Sequence, residues 1–160
     1  EVLVVLGIMS VVAGSAVSVG LAIAAARSKA AAVEEVQSNS RIALEVISNR
    51  IRRATSIDVG GSAFGVDPGA LTLRMAEPER DPTILSLTTD DGTLWLREGA
   101  NASGALTSSA VAVTVFRVSN TAPAGAPANI RVELTVAAAN AGDANTAYTQ
   151  SLETAVSLRR

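Results

Sequence analysis

The chain has 160 residues, 48% of them hydrophobic but only 2% aromatic, with no His, no Cys and a formal net charge of −2. Those absences exclude His/Cys metal and haem sites, disulfides and any Ser-His or Cys-His nucleophile pair. They also leave no global basic field and no aromatic platform for nucleic acid, so no nucleic-acid partner is expected. The average conceals a split. Residues 27–53 carry six basic and three acidic side chains, whereas residues 54–160 carry seven basic and eleven acidic ones. A basic stem and an acidic head in one chain can attract each other between copies, or both can be solvated faces.

Val2 to Ala26 is free of charge. As a helix it runs ~38 Å, enough to cross a bilayer. A cleaved signal peptide, a plain membrane anchor, and a helix that later packs against copies of itself compete for this segment. A signal peptide wants a basic start and a small-residue cleavage site before a mature domain. Here an acidic residue stands first, and the run flows into more helix. Gly7, Ser10, Gly14, Ser18 and Gly20 favour self-packing. Ser10-x-x-x-Gly14-x-x-x-Ser18 and Ala16-x-x-x-Gly20 are spacings that let helices approach closely. Glu1 is a carboxylate at the head of an apolar run, costly there unless it rests among headgroups or finds a partner.

Beyond Ala26 the helical period continues but becomes amphipathic. Val33, Val36, Leu44, Ile47, Ile51 and Ala54 recur at steps of three and four, with Ser40 in one gap. No Pro or Gly interrupts Lys29 to Val59. Residues 1–55 therefore read as one helix of ~80 Å: 1–26 for a membrane or filament core and 27–55 amphipathic. Val36, Leu44, Ile47 and Ile51 are the expected contacts between helix and head.

Gly60-Gly61 and Asp67-Pro68-Gly69 end this regime. Residues 56–160 form the expected head, with strands near 70–75, 83–88, 93–98, 111–118, 129–137 and 147–158. Thr88 to Gly92 marks a hairpin. Ile130, Val132, Leu134 and Val136 alternate with Arg131, Glu133 and Thr135, as a half-buried antiparallel strand requires. The parity switch between Val115 and Phe116 predicts a bulge there. Linkers at 99–109, 119–128 and 138–146 are rich in Ala, Gly, Asn, Ser and Pro. The fold class expected is α+β: a long N-terminal helix whose amphipathic half covers one antiparallel β head.

Candidate chemistry in the head is sparse. Asp90 and Asp91 are adjacent, and Asp81 and Asp143 lie in turn-like sequence. Carboxylates in pairs serve acid/base work or Ca²⁺, but no EF-hand spacing is present and Asp-Gly is a turn signal. Neither a metal, a cofactor nor catalysis is expected. Asn101-Ala-Ser103 is a glycosylation sequon, and Ser and Thr offer O-glycan sites. Trp95 beside Arg97 reads as packing, and Arg159-Arg160 as a solvated terminus.

Glu1-Val-Leu-Val-Val-Leu-Gly-Ile-Met-Ser10 resembles the start of bacterial type IV pilins and type II secretion pseudopilins, where a Glu shortly after the prepilin cleavage site opens the apolar helix. Gln37 to Ala54 is similar to the second half of that helix in J-type minor pseudopilins, and Thr154 to Arg159 is similar to how those chains end. The residues before Glu in that family, typically Phe-Thr-Leu-Ile, are absent here, as is the helix-breaking Pro of major pilins, with Ser18 near its place. The resemblance implies the pilin fold and a structural, non-enzymatic subunit that polymerises with copies of itself in a helical filament. It assigns Glu1 to pairing with the backbone amine of a neighbouring copy. It implies residence in the inner membrane before assembly, an extracellular filament afterwards, and a prepilin peptidase, an assembly ATPase and a platform protein as partners. A minor pseudopilin of a secretion system and a DNA-uptake or adhesive pilin are the alternatives.

Overall fold

The computed structural model describes residues 2–123, 126–139 and 147–158. Glu1, Asp143, Arg159 and Arg160, singled out in the sequence, lie outside the described residues, as does most of the linker at 138–146.

A single helix, α1, spans Val2–Arg53. At ~1.5 Å per residue it is ~78 Å long. The first proline of the chain is Pro68, so no residue in the helix interrupts its hydrogen-bond ladder. Arg50, Arg52 and Arg53 occupy the last turn, where cations favour the helix dipole. The Ala54 N–H still bonds to the carbonyls of Arg50 and Ile51, and the next residue, Thr55, already donates to Arg74 O at 2.8 Å. Helix thus passes directly into sheet.

Among the described residues the head contains eight strands in two antiparallel sheets. The first sheet orders β1 (Ser56–Ile57), β2 (Ala70–Arg74), β3 (Thr83–Leu87), β4 (Leu94–Glu98) and β5 (Gly104–Ala105) as neighbours in sequence. A short 3-10 turn at Pro78–Arg80 links β2 to β3. The second sheet orders β6 (Val111–Asn120), β7 (Asn129–Ala138) and β8 (Thr149–Ser157). The six expected strands fall on β2, β3, β4, β6, β7 and β8. The short β1 and β5 have two residues each, too few for any period to show.

The expected antiparallel head is divided into two sheets, and the free edge of β6 explains the division. That edge meets loops instead of a strand. Gly65 N donates to Val118 O at 2.8 Å, Gly69 N to Phe116 O at 2.6 Å, and Val113 N to Gly92 O at 2.8 Å. The Asp67 carboxylate accepts the Phe116 N–H at 3.0 Å. A Cβ at Gly69 would stand 2.9 Å from Phe116 O, so the seam closes only because that residue has no side chain.

The bulge in β6 lies between Val113 and Val115, one step before the expected position. Thr114 is the extra residue. Its insertion lets Val113 and Phe116 both point into the core, which a strict period of two forbids. The sequence shows the switch only where Val115 and Phe116 adjoin.

The core is one cluster fed by all three layers. Val36, Ala43, Ile47 and Ile51 from α1 meet Leu71, Leu73, Leu85 and Leu94 of the first sheet and Phe116, Ile130, Val132, Leu134 and Val136 of the second. The helix lies chiefly on β7 and β8. Full burial of each large aliphatic side chain contributes ~1.5–3 kcal/mol. Buried Ser40 sits inside this stripe without an unpaired hydroxyl, because its Oγ donates to Val36 O at 2.6 Å. Ala43, at the contact with the sheet, was not among the expected positions; its small side chain lets helix and sheet approach.

Polar clamps fix the helix against the first sheet and the loop after β5. The Arg50 guanidinium and Glu98 carboxylate approach to 2.8 Å with about a fifth of each side chain exposed. Ser108 donates its N–H to Asn39 Oδ1 and its hydroxyl to Glu35 Oε1, both at 2.8 Å.

Gly99, after β4, has φ +58°, and a Cβ there would collide with the backbone carbonyl of Glu79. Both the left-handed backbone and the clash penalise a side chain. Gly99→Ala is expected to lower stability by ~2 kcal/mol or more, visible as a fall in the midpoint of thermal unfolding; an unchanged midpoint refutes this role.

Candidate functional site

The helix divides into two environments although its backbone is continuous. Over the apolar half, an 18-residue window reaches a mean hydropathy of 2.4 with none of it buried against the rest of the chain. Leu3, Leu6, Met9, Val11, Val17 and Leu21 are each at least 60% exposed. The head reaches back only to the region around Ala32 and Val36. The helix is long and apolar enough to cross a membrane.

The serines of this half cost little in an apolar medium. Ser10 Oγ donates to Gly7 O, Ser15 Oγ to Val12 O and Ser18 Oγ to Ser15 O, each at 2.8 Å. Each hydroxyl therefore carries its own partner and needs no water. The sequence pattern identifies the serines as small; only the rotamers show them satisfied. Gly7, Gly14 and Gly20 have nothing within 4 Å of an added Cβ beyond their own stretch of helix. Nothing in the chain's own packing asks for glycine at positions where each costs ~1 kcal/mol against Ala. At Gly7 the missing side chain leaves an apolar notch bounded by Val4, Val11 and Val12.

The four expected helix–head contacts come together on the sheet side. Val36, Ile47 and Ile51 are fully buried, and Leu44 is half-buried at the margin of the core. Asn101 and the rest of its sequon are exposed in the turn after β4, where the Asn101 N–H bonds to Glu98 O. Trp95 is half-buried on β4, opposite Ser86 and Ala105.

The head's acidic residues are mostly committed to structure. Asp91 accepts the Thr93 N–H at 3.0 Å, and hydrogen bonding to Thr93 holds its carboxyl below the ordinary range. Asp81 accepts the Met75 N–H and pairs with Arg74 at 3.1 Å. On the outer face of the second sheet Arg117, Glu133, Arg131 and Glu153 form a row of ion pairs at 2.7–3.6 Å. Glu153, by hydrogen bond and charge, raises the Arg131 pKa further. Such exposed pairs contribute little each. Asp67, Asp90 and Asp91 border a shallow open cavity beside Gly92, but among the described residues no three potential ligands converge on a metal position.

Comparison of the chain with protein-family models, with curated proteins and with solved structures returns no match in any of the three. The α+β architecture, a long N-terminal helix laid on antiparallel sheets, is compatible with a pilin-like fold.

Proposed function

We propose that this chain is a structural subunit of an extracellular type IV pilus-like filament, held in the inner membrane by its apolar helix before assembly. The observation that carries this reading is the contrast along α1. One face of residues 36–54 is sealed on the head, and the apolar half projects with no cover of its own. A membrane satisfies that half while the subunit waits, and the same half of other copies satisfies it in a polymer. Small residues that the chain's own packing does not need, and self-bonded serines, suit close helix packing. The subunit is a building element, not an enzyme.

The test is direct. Shearing cells that express the chain should release filaments, visible by negative stain, that contain it. Glu1→Gln should leave membrane-bound subunit at the normal level and reduce sheared filament by more than about tenfold, because an uncharged amide forms no ion pair with a neighbour's protonated amine. Wild-type yield from that variant would refute pairing. Absence of any filament from the wild-type chain would refute the polymer.

A further inference from the structure

Among the described residues only one long strand edge of the head stays open. The outer edge of β6 is met by the loops bearing Gly65, Gly69 and Gly92. At the two ends of the first sheet β1 and β5 have two residues each. β8 ends the second sheet and has nine residues, with no Pro and no bulge. The Leu158 N–H donates to Ala128 O, and Tyr148 O accepts the Ala138 N–H, both at 3.0 Å. Antiparallel bonding alternates from these two pairs, so the even-numbered residues of β8 face β7. The N–H and C=O groups of Thr149, Ser151, Glu153, Ala155 and Ser157 therefore point away from β7, and no described strand or loop pairs with them. Folded proteins ordinarily shorten, charge or cover such an edge, as this chain does at β1, β5 and β6.

The core side of the same edge is unfinished. Leu152 stands opposite the buried Leu134, on the core side of the sheet, yet is only half-buried. Gln150, opposite the buried Val136, has its Oε1 enclosed without a hydrogen-bond partner among the described residues. Where β8 ends, Asn49, Arg52 and Arg53 of the helix and Ala155, Val156 and Ser157 of the strand line an open cavity of about 500 Å³. Both arginines are exposed, and neither enters an ion pair among the described residues.

We infer that the open edge of β8 is a strand-addition site for an extended segment of another protein. The segment pairs antiparallel along Thr149–Ser157, sets apolar side chains at alternate positions on the Leu152 side, and brings carboxylates at its N-terminal end to Arg52 and Arg53. Main-chain bonds supply the attraction, and the arginines fix its direction. A second copy is the poorer occupant. Its described open edges are β1 and β5, too short, and β8 itself. Fully overlapped antiparallel pairing of β8 with β8 sets Glu153 against Glu153 and brings Thr149, not a carboxylate, toward the arginines. The site goes beyond the filament reading and stands without it.

The test uses the full-length chain in detergent micelles and a fluorescent peptide as long as β8, alternating valine and threonine behind two N-terminal glutamates. Polarisation, with empty micelles as the blank, should show saturable binding. Lysines in place of the glutamates, or N-methyl groups on the peptide's amides, should weaken binding at least about tenfold. Ala155→Pro removes one outward N–H and leaves the β7 ladder intact. It should weaken binding as much, with an unchanged far-UV circular dichroism spectrum. Arg52→Glu with Arg53→Glu should reverse the preference, so that the lysine peptide binds more tightly. No saturable binding below about 1 mM, equal binding of the N-methylated peptide, or an unreversed preference overturns the site. Undiminished binding by folded Ala155→Pro does the same; if that variant misfolds, the N-methylated peptide decides the main-chain pairing. A dimer of the full-length chain that forms without peptide and is lost in folded Ala155→Pro makes the occupant a second copy and overturns its assignment to another protein.

Discussion

Removing residues 1–26 should convert the chain into a soluble, folded and monomeric head. Among the described residues the deleted half contributes none to the buried core, whereas Val36, Ala43, Ile47, Ile51 and Ala54, which remain, belong to it. The remaining helix of 27 residues keeps its contacts with β7 and β8 and both polar clamps. Sedimentation and far-UV circular dichroism check this. Filaments from the truncated chain would place the polymer contact in the head instead, and an unfolded product would make the apolar half part of the folding unit.

Ile47→Ala in that truncated head should cost ~2–5 kcal/mol, and Ile51→Ala a similar amount. Both side chains are completely buried in the core shared by helix and head, so their loss leaves a cavity that the packed layers cannot close. Denaturant or thermal unfolding measures it, and a head of this size should lose well over 5 °C. Ile42 is the internal control. It lies on the same helix but is 52% exposed, so Ile42→Ala should move the midpoint little. Equal effects at Ile42 and Ile47 would mean that the helix is turned differently on the head.

A two-sided helix was legible in the sequence because a period of 3.6 is a local property. Val36, Leu44, Ile47 and Ile51 follow it without knowledge of what they pack against, and no Pro or Gly between Lys29 and Val59 interrupts this half of the helix. The six longer strands were legible for the same reason: alternation at Ile130 to Val136 needs only its own neighbours.

What the tertiary structure decided lies where distant segments meet. Two sheets form instead of one because loops bearing Gly65, Gly69 and Gly92 satisfy the edge of β6, and no local pattern announces which strand edge a loop will cover. The bulge sits at Thr114 because two side chains three residues apart must both reach one core. Arg50 with Glu98, and Ser108 with Glu35 and Asn39, pair across 48 to 73 residues, and the sequence shows only that each can pair. The charged face of the helix from Arg27 to Arg52 depended on both kinds of information. Its spacing is written in the sequence, but only the packed structure shows which charged residues of the helix the head has engaged and which remain exposed.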